Sequence, residues 1–393
     1  MTKRVVIGLS GGVDSSVAAF LLKQQGYDLT ALFMVNWHDR TGAITGACTW
    51  EEDALIAGMA AKKLGIPFQI VDLSNDYREK VVDYMFNEYN SGRTPNPDIL
   101  CNREIKFDSF LEEAINHEAD YVATGHYCRK EISNIKGIPV YHLLAGIDNE
   151  KDQSYFLCQL NQYQLSKSLF PVGGLTKREV RKIARQQNLP TAERKDSQGI
   201  CFVGKIDLPA FLQQKLEPKT GNVIKISSGF MSRKKQIEIL EENYKKLCFP
   251  FPFKPWNGKI IGEHKGAHFF TIGQRKGLNI GGYSQPLFVI GTDVARNIIY
   301  VGEGPEHPGL YRPGLFIKKS DIHWVRPDMQ MATGEKKEFN IRIRYRQPLE
   351  KGVIHLKEEG GYIIFKNEQR GITSGQFAAW YIGDELIGSG VIM

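Results

Sequence analysis

Short apolar runs and amphipathic segments alternate along the first 125 residues of the chain. RVVIGL, DLTALFMV, IPFQIVDL and DYVATG predict buried strands. Between them, SSVAAFLLKQQG, WEEDALIAGMAAKKLG, a stretch from about residue 75 to 89 and CNREIKFDSFLEEAINH predict helices. This alternation favours an α/β domain with a doubly wound parallel sheet, whose ligands bind beyond the carboxyl ends of the strands.

The pattern changes twice further along the chain. Residues 150–205 have a helical pattern, with a capping-box match of Thr176 and Glu179. Glycines and aromatic residues then predominate, and short alternating strands follow from about residue 287, which predicts an antiparallel β-barrel. Because 393 residues exceed the ~250–300 that one core usually holds, two or three domains are expected, and the changes of pattern favour three. They are an α/β domain at 1–205, a small mixed central domain at 206–286 and a C-terminal barrel at 287–393.

Charge adds a hint about partners. The formal net charge is +7, and basic residues cluster in TKREVRKIAR, SRKKQ and IRIRYRQ. Each run is compatible with a solvated face, but three of them together favour a polyanionic partner. No apolar run reaches the ~20 residues that span a bilayer, and no charged-then-apolar leader precedes the first strand. We therefore expect a cytoplasmic protein that binds no membrane.

The first predicted strand leads into a glycine-rich loop, GLSGGVDSS, at residues 8–16. Gly11 and Gly12 let successive N–H groups converge on an anion at the start of the following helix. The loop has no lysine, so it is not of the G-x-x-x-x-G-K-[ST] type. Asp14 is suited to hold Mg²⁺ or to orient the loop. The alternative is an ordinary strand-to-helix turn, which the serines and Asp14 at this spacing disfavour.

Two of the six cysteines have flanking sequences that favour reactivity. Cys101 follows the turn-rich TPNPD and is predicted to open a helix, a position that lowers thiol pKa values. Cys201 lies in DSQGICFVG. The chain has no C-x-x-C pair, and no metal site is predicted. Cys128, Cys158 and Cys248 fit buried core positions.

The motifs together resemble a known family. S-G-G-x-D-S is similar to the PP-loop of ATP pyrophosphatases, which holds the β- and γ-phosphates while a substrate attacks the α-phosphate. The set GLSGGVDSS, FMVNW, NPDILCNREIKF, ATGHY, KDQSYFL, DSQGICFVG, HFFTIGQRKGL, RYRQPL and SGQFAAW resembles the bacterial tRNA-specific 2-thiouridylases along almost the whole chain.

The resemblance implies a reaction and its residues. ATP, with Mg²⁺ near Asp14, would adenylate the C2 oxygen of the wobble uridine. A Cys201 persulfide would then deliver sulfur, with Cys101 as partner thiol and a transient Cys101–Cys201 disulfide. Asp98 would serve as general acid/base or, alternatively, as helix N-cap. The implied ATP contacts are Gly8, Leu9, Ser10, Gly11, Gly12, Val13, Asp14, Ser15, Met34 and Gly125. The implied target-base contacts are Asn96, Pro97 and Asp98. The implied tRNA contacts are His126, Lys151, Asp152, Gln153, Arg344, Tyr345 and Gln376.

The expected partners are the anticodon stem-loop of glutamate, glutamine and lysine tRNAs and a sulfur-donor protein, with the chain as a monomer. One departure from the family is a long basic and aromatic stretch near 226–258, which is either a surface elaboration or an added tRNA contact. Other PP-loop enzymes are disfavoured because the loop starts at residue 8, no amidotransferase domain fits, and two thiols are placed. A non-catalytic tRNA- or nucleotide-binding module would need neither Cys101 nor Cys201.

Overall fold

The computed structural model describes residues 2–38, 50–195, 208–213, 215–234 and 240–393. A parallel five-stranded sheet forms the first layer, in the order β3-β2-β1-β4-β7. Its strands are β1 (Arg4–Gly8), β2 (Asp28–Val35), β3 (Phe68–Asp72), β4 (Tyr121–Ala123) and β7 (Ser168–Leu169). The central strands β1 and β2 are apolar and buried because helices cover both faces, as doubly wound sheets require. The predicted α/β domain is therefore confirmed.

Helices connect and cover these strands. The α-helices are α1 (Val13–Gln24), α2 (Trp50–Leu64), α3 (Ser74–Tyr77), α4 (Asp83–Asn90), α5 (Pro97–Leu100), α6 (Phe110–Asn116), α7 (Gln162–Ser166), α8 (Lys177–Gln186), α9 (Leu208–Leu212), α10 (Ser228–Lys234) and α11 (Tyr244–Cys248). Two π-helical segments, Arg78–Val82 and Cys101–Ser109, join α3 to α4 and α5 to α6. Single 3₁₀ turns are Ser154–Leu157, Glu241–Asn243, Pro255–Asn257, Ala267–Phe269, Pro308–Leu310 and Pro327–Met329. The capping box predicted for α8 is present, with Thr176 and Glu179 bonded reciprocally.

A four-stranded sheet forms the middle of the molecule, in the order β10-β11-β8-β9. Its strands are β8 (Gly221–Lys225), β9 (Lys259–His264), β10 (Leu287–Asp293) and β11 (Ile298–Glu303). β10 and β11 are thus hydrogen-bonded into this sheet, and the position expected to start the C-terminal barrel, residue 287, is the first residue of β10. The alternation of apolar and polar residues in a short strand is the same in either sheet, so this pattern does not show which sheet β10 and β11 join.

The third sheet closes into an antiparallel barrel, because β12 pairs with both β15 and β17. Its barrel strands are β12 (Tyr311–Trp324), β13 (Lys336–Arg342), β14 (Glu350–Leu356), β15 (Gly360–Arg370), β16 (Phe377–Ile382) and β17 (Glu385–Ile392). A hairpin of β5 (Cys128–Ile135) and β6 (Ile138–Ala145), which the sequence pattern did not predict, extends this sheet through the pairing of β6 with β17. A segment of the first domain thereby joins the C-terminal sheet.

The largest apolar cluster spans both regions. It contains Met34, Cys101 and Phe110 from the first domain together with Phe377 and Tyr381 from β16. α11 packs on β12 and β15, where the Cys248 side chain is fully buried. Part of the unusual 226–258 stretch is therefore anchored on the barrel, while residues 235–239 lie outside the described residues.

Candidate active site

The glycine loop connects β1 to α1 at the carboxyl edge of the parallel sheet. Gly12 is the N-cap of α1, in extended conformation, and the backbone N–H of Ser10 donates to Ser15 Oγ at 3.2 Å. Gly11 has a φ of +72°, and a Cβ there would lie 2.5 Å from the carbonyl oxygen of Asp53. This position therefore requires glycine, because an L side chain would be both strained and blocked.

A second glycine closes the loop from the other side. A Cβ on Gly125, just after β4, would lie 2.7 Å from the backbone nitrogen of Ser15. The absence of side chains at Gly11, Gly12 and Gly125 leaves backbone N–H groups at the start of α1 for an anion. These residues fit the phosphates of a nucleotide.

Asp14, the second residue of α1, has strong partners inside the protein. Lys177 Nζ lies 2.8 Å from both carboxylate oxygens of Asp14, and the Tyr127 hydroxyl donates to Asp14 Oδ1 at 2.6 Å. Arg194 binds the loop nearby, donating to the Gly11 carbonyl oxygen at 3.1 Å and to Asp53 at 2.7 Å. Of the two roles expected for Asp14, this geometry favours orientation of the loop.

The thiol Cys101 lies on the helix that begins at Pro97. Asn96 is the N-cap, and its Oδ1 accepts the backbone N–H of Ile99 at 3.3 Å. The prediction that Cys101 opens this helix is wrong, because Cys101 follows the first turn, where most of the helix-terminus effect is confined. The alternative N-cap role for Asp98 is wrong too, because Pro97 takes the first helical position and makes Asn96 the cap.

Cys101 is fully buried and shares an apolar cluster with Met34 and Phe110. A Cβ on Gly8, at the end of β1, would lie 3.3 Å from Met34 Cε and 3.6 Å from the Phe110 ring. The thiol helix and the end of β1 that feeds the glycine loop thus pack on the same cluster. Cys201 lies outside the described residues, so only one of the two predicted thiols can be placed.

The segment before Cys101 is held by the C-terminal barrel. Gln376 Nε2 donates to the carbonyl oxygens of Thr94 at 2.9 Å and Pro95 at 3.0 Å, and its Oε1 accepts from Asn96 Nδ2 at 3.3 Å. The Thr94 N–H donates to the Ser374 carbonyl oxygen at 2.8 Å. The expected target-base segment and the expected tRNA residue Gln376 are therefore in direct contact.

Several residues expected to contact tRNA are engaged within the protein. His126 is buried, and its Nδ1 lies 2.8 Å from Thr124 Oγ1; burial, with Lys106 as a smaller cause, holds its pKa well below the ordinary value. Asp152 is 3 % exposed and accepts from Arg342 at 3.0 Å and from the Gly146 and Ser154 backbones. Gln153 Oε1 accepts the Tyr127 N–H at 3.0 Å. Lys151, beside them, is partly exposed.

The run IRIRYRQ is only partly available to a partner. Arg344 donates to the carbonyl oxygens of Arg370 and Gly371, and burial lowers its pKa. The Tyr345 ring lies 4.4 Å from the Phe156 ring, and Arg346 lies 5.1 Å over the Tyr345 ring. Tyr345 and Arg346 present the combination of an aromatic face and a cation that suits unpaired bases.

The chain matches three family models: a tRNA methyl transferase HUP domain at 3–205, a tRNA methyl transferase PRC-barrel domain at 248–303 and an aminomethyltransferase β-barrel domain at 316–392. It is 58 % identical over 393 residues to the tRNA-specific 2-thiouridylase of Flavobacterium johnsoniae, covering 99 % of this chain and 100 % of the relative. It is 57 % identical over 397 residues to that of Christiangramia forsetii, with 99 % and 100 % covered. The chain belongs to the tRNA-specific 2-thiouridylase family. The methyl transferase activity that two of the family descriptions mention is outweighed by 2-thiouridylase relatives matched end to end.

As a 2-thiouridylase, the chain is a sulfurtransferase of tRNA modification. Its other described cysteines are buried, as Cys101 is. Burial raises the pKa of Cys158 and of Cys248 to about 12, and burial also raises that of Cys128. Within the described ranges no group of three His, Cys, Asp or Glu side chains could hold a metal, and no helix there is long and apolar enough to cross a membrane.

The sequence did not indicate three residues whose side chains contact the glycine loop: Lys177, Tyr127 and Arg194. Lys177 drew attention only as part of a basic run, and it is 163 residues from Asp14. Its place as the first residue of a capped helix was visible in the sequence, but no local pattern links that helix to the glycine loop.

Proposed function

We propose that this 2-thiouridylase uses ATP to replace the C2 oxygen of the wobble uridine of glutamate, glutamine and lysine tRNAs with sulfur. ATP supplies the adenylyl group that makes the C2 oxygen a leaving group, and pyrophosphate is released. The observation that carries the proposal is the shared packing of the Cys101 helix and the glycine-loop strand on one cluster beneath the carboxyl edge of the sheet.

The glycine loop is suited to bind the β- and γ-phosphates, with Gly8, Leu9, Ser10, Val13 and Ser15 around them. Met34 and Gly125 would flank the adenosine and the α-phosphate. Mg²⁺ would arrive on the polyphosphate, because Asp14 already pairs with Lys177. Asn96, Pro97 and Asp98 would receive the uridine after it leaves the base stack.

The two thiols would complete the exchange. The terminal sulfur of the Cys201 persulfide attacks C2, and AMP leaves with the former C2 oxygen. Cys101 then attacks the Cys201 sulfur, so that the S–S bond breaks, the new sulfur stays on the base and a Cys101–Cys201 disulfide forms. A dithiol reductant restores both thiols, and a persulfide-donor protein reloads Cys201.

The test is reconstitution with purified chain, ATP, Mg²⁺, a persulfide donor and an anticodon stem-loop. We expect 2-thiouridine, pyrophosphate and AMP in equal amounts. If Cys201→Ser made as much 2-thiouridine as the wild-type chain, the persulfide step would be contradicted. Product without AMP would contradict adenylation. The control is a stem-loop with cytidine at the wobble position.

A further inference from the structure

The ammonium group of Lys177 lies at the glycine loop, although the loop itself has no lysine. Lys177 is the first residue of α8, and its Nζ is 2.8 Å from each oxygen of the Asp14 carboxylate. The Lys177 side chain is 12 % exposed. The Asp14 side chain is 31 % exposed, so the ion pair is partly enclosed and its charges are screened less by solvent than at the surface.

Three contacts fix this ammonium in place. Its Nζ lies 5.7 Å from the centre of the Tyr127 ring, and the Tyr127 hydroxyl bonds the same carboxylate. The backbone N–H of Lys177 donates to Asp148 Oδ2 at 2.9 Å, which anchors the start of α8. The cation is therefore held by its backbone, by an aromatic face and by its counter-ion.

The location decides what the cation can reach. Asp14 is the second residue of α1, and each helical residue rises only about 1.5 Å along the axis. The Lys177 ammonium is thus bound to a side chain of the first turn of α1, the turn whose N–H groups suit an anion. An anion seated there would meet the negative charge of Asp14 unless a cation compensated it.

We propose that Lys177 is the phosphate-binding cation of the glycine loop, paired with Asp14 when the site is empty and contacting the pyrophosphate moiety when it is filled. The proposal rests on the proposed function, since it takes the loop to bind ATP and release pyrophosphate. The exchange of partners requires a rotation within the lysine side chain, while the bond of its backbone N–H to Asp148 keeps the start of α8 in place. Asp14 then holds the Lys177 ammonium close to the loop when no nucleotide is bound.

A purely structural clamp between α1 and α8 is the competing explanation, and binding measurements separate the two. The full chain is compared with Lys177→Gln, Lys177→Arg and the matched control Arg178→Gln, which removes the same charge from an exposed position on α8. Calorimetry with inorganic pyrophosphate and with ATP, without tRNA, gives the dissociation constants. Thermal unfolding of each variant is recorded in parallel.

We expect Lys177→Gln to weaken pyrophosphate binding by about 10- to 100-fold, as the loss of one charge-assisted hydrogen bond does. We expect Arg178→Gln to change the pyrophosphate affinity less than about 3-fold, since screened surface charges contribute little. We expect Lys177→Arg to keep most of the affinity that Lys177→Gln loses, because arginine keeps the positive charge. A Lys177→Gln chain with a lower melting temperature but with the pyrophosphate affinity of Arg178→Gln would overturn the proposal.

A measurement on the wild-type chain covers the case in which Lys177→Gln does not fold. The acetylation rate of Lys177 by an amine-reactive reagent is followed by mass spectrometry with and without saturating pyrophosphate, with Lys182 as the internal reference. Specific protection of Lys177 is expected, and an unchanged rate overturns the proposal. If the wild-type chain binds neither ATP nor pyrophosphate, the proposed function itself has failed, which is distinguishable from a Lys177 that has no part in binding.

Discussion

The glycine loop and the Thr94–Cys101 segment are built in different ways. Every described partner of the loop, including Lys177, Tyr127 and Arg194, comes from the first domain. The Thr94–Cys101 segment instead takes its anchor from the C-terminal barrel, through Gln376 and Ser374. The cited hydrogen bonds of the nucleotide side therefore stay within the first domain, whereas those of the thiol side reach the domain expected to bind tRNA. Damage to one side should be separable from damage to the other.

Cys101→Ser is expected to give the largest difference between the effect on 2-thiouridine formation and the effect on pyrophosphate release. A serine hydroxyl cannot resolve a disulfide, so 2-thiouridine formation should fall by about 10³-fold or more, in the range of lost nucleophiles. Pyrophosphate release with ATP and stem-loop should stay within a few-fold of wild type, because adenylation precedes the step that needs the Cys101 thiol. Chromatography of digested RNA and a pyrophosphate assay measure the two steps. Cys248→Ala, at a buried cysteine on the barrel, is the control. Equal loss of both activities would break the comparison.

Gly11→Ala should damage the other side. The substituted Cβ would clash with the Asp53 carbonyl in a backbone region that costs roughly 1–2 kcal/mol for an L residue. We expect ATP affinity to fall by about 10- to 100-fold, because each 1.4 kcal/mol is a factor of ten. Calorimetric titration measures it. Gly174→Ala, where a Cβ meets nothing within 4 Å, is the matched control. Unchanged ATP affinity in Gly11→Ala would contradict the assignment of the loop.

Gln376→Ala removes the contacts between the barrel and the thiol segment. Two carbonyl oxygens and the Asn96 amide lose a partner, which should cost about 1–3 kcal/mol of unfolding free energy. We expect kcat for thiolation to fall by about 10-fold from misplacement of the thiol helix, with ATP affinity unchanged. The measurement compares the change in kcat for thiolation with the change in ATP affinity. The control is Gln330→Ala, at an exposed position. A matching loss of ATP affinity would show that the two sides are coupled.

Some of these features could be predicted from the sequence, and others arise only when the chain folds. The parallel sheet and its glycine loop were predictable because strand and helix periodicities are local. The pairing of β10 and β11 with the middle sheet was not predictable, because the hydrophobic period of a strand does not determine which strands it pairs with. The hairpin β5–β6 escaped for the same reason. The Asn96 cap was predictable from Pro97, whereas Lys177 at Asp14 and Gln376 at Thr94 are contacts made only by folding.

The smallest effect concerns Lys130, which links the β5–β6 hairpin to α7 and β7. Lys130 lies on β5 and donates to the carbonyl oxygens of Leu165 and Ser168; burial lowers its pKa to about 8. The unfolded chain therefore holds more protons between pH 8 and about 10.4, so stability should rise with pH in that window. Lys130→Met should remove this gain. Urea midpoints at pH 7.5 and pH 9.5 measure it, with the exposed Lys62→Met as control. Identical pH slopes for wild type and Lys130→Met would refute the expectation.

The shared cluster has a consequence for how the molecule is made. Phe377 and Tyr381 cover the cluster that holds Cys101, and β17 completes the sheet that β6 extends. On a ribosome that adds about 5–20 residues per second, these strands follow the thiol helix only after roughly ten seconds or more. During that interval an apolar face of the first domain stays uncovered and open to chaperones. A nascent chain can thus form its nucleotide loop early, but it cannot set its thiol helix until the barrel has been synthesised.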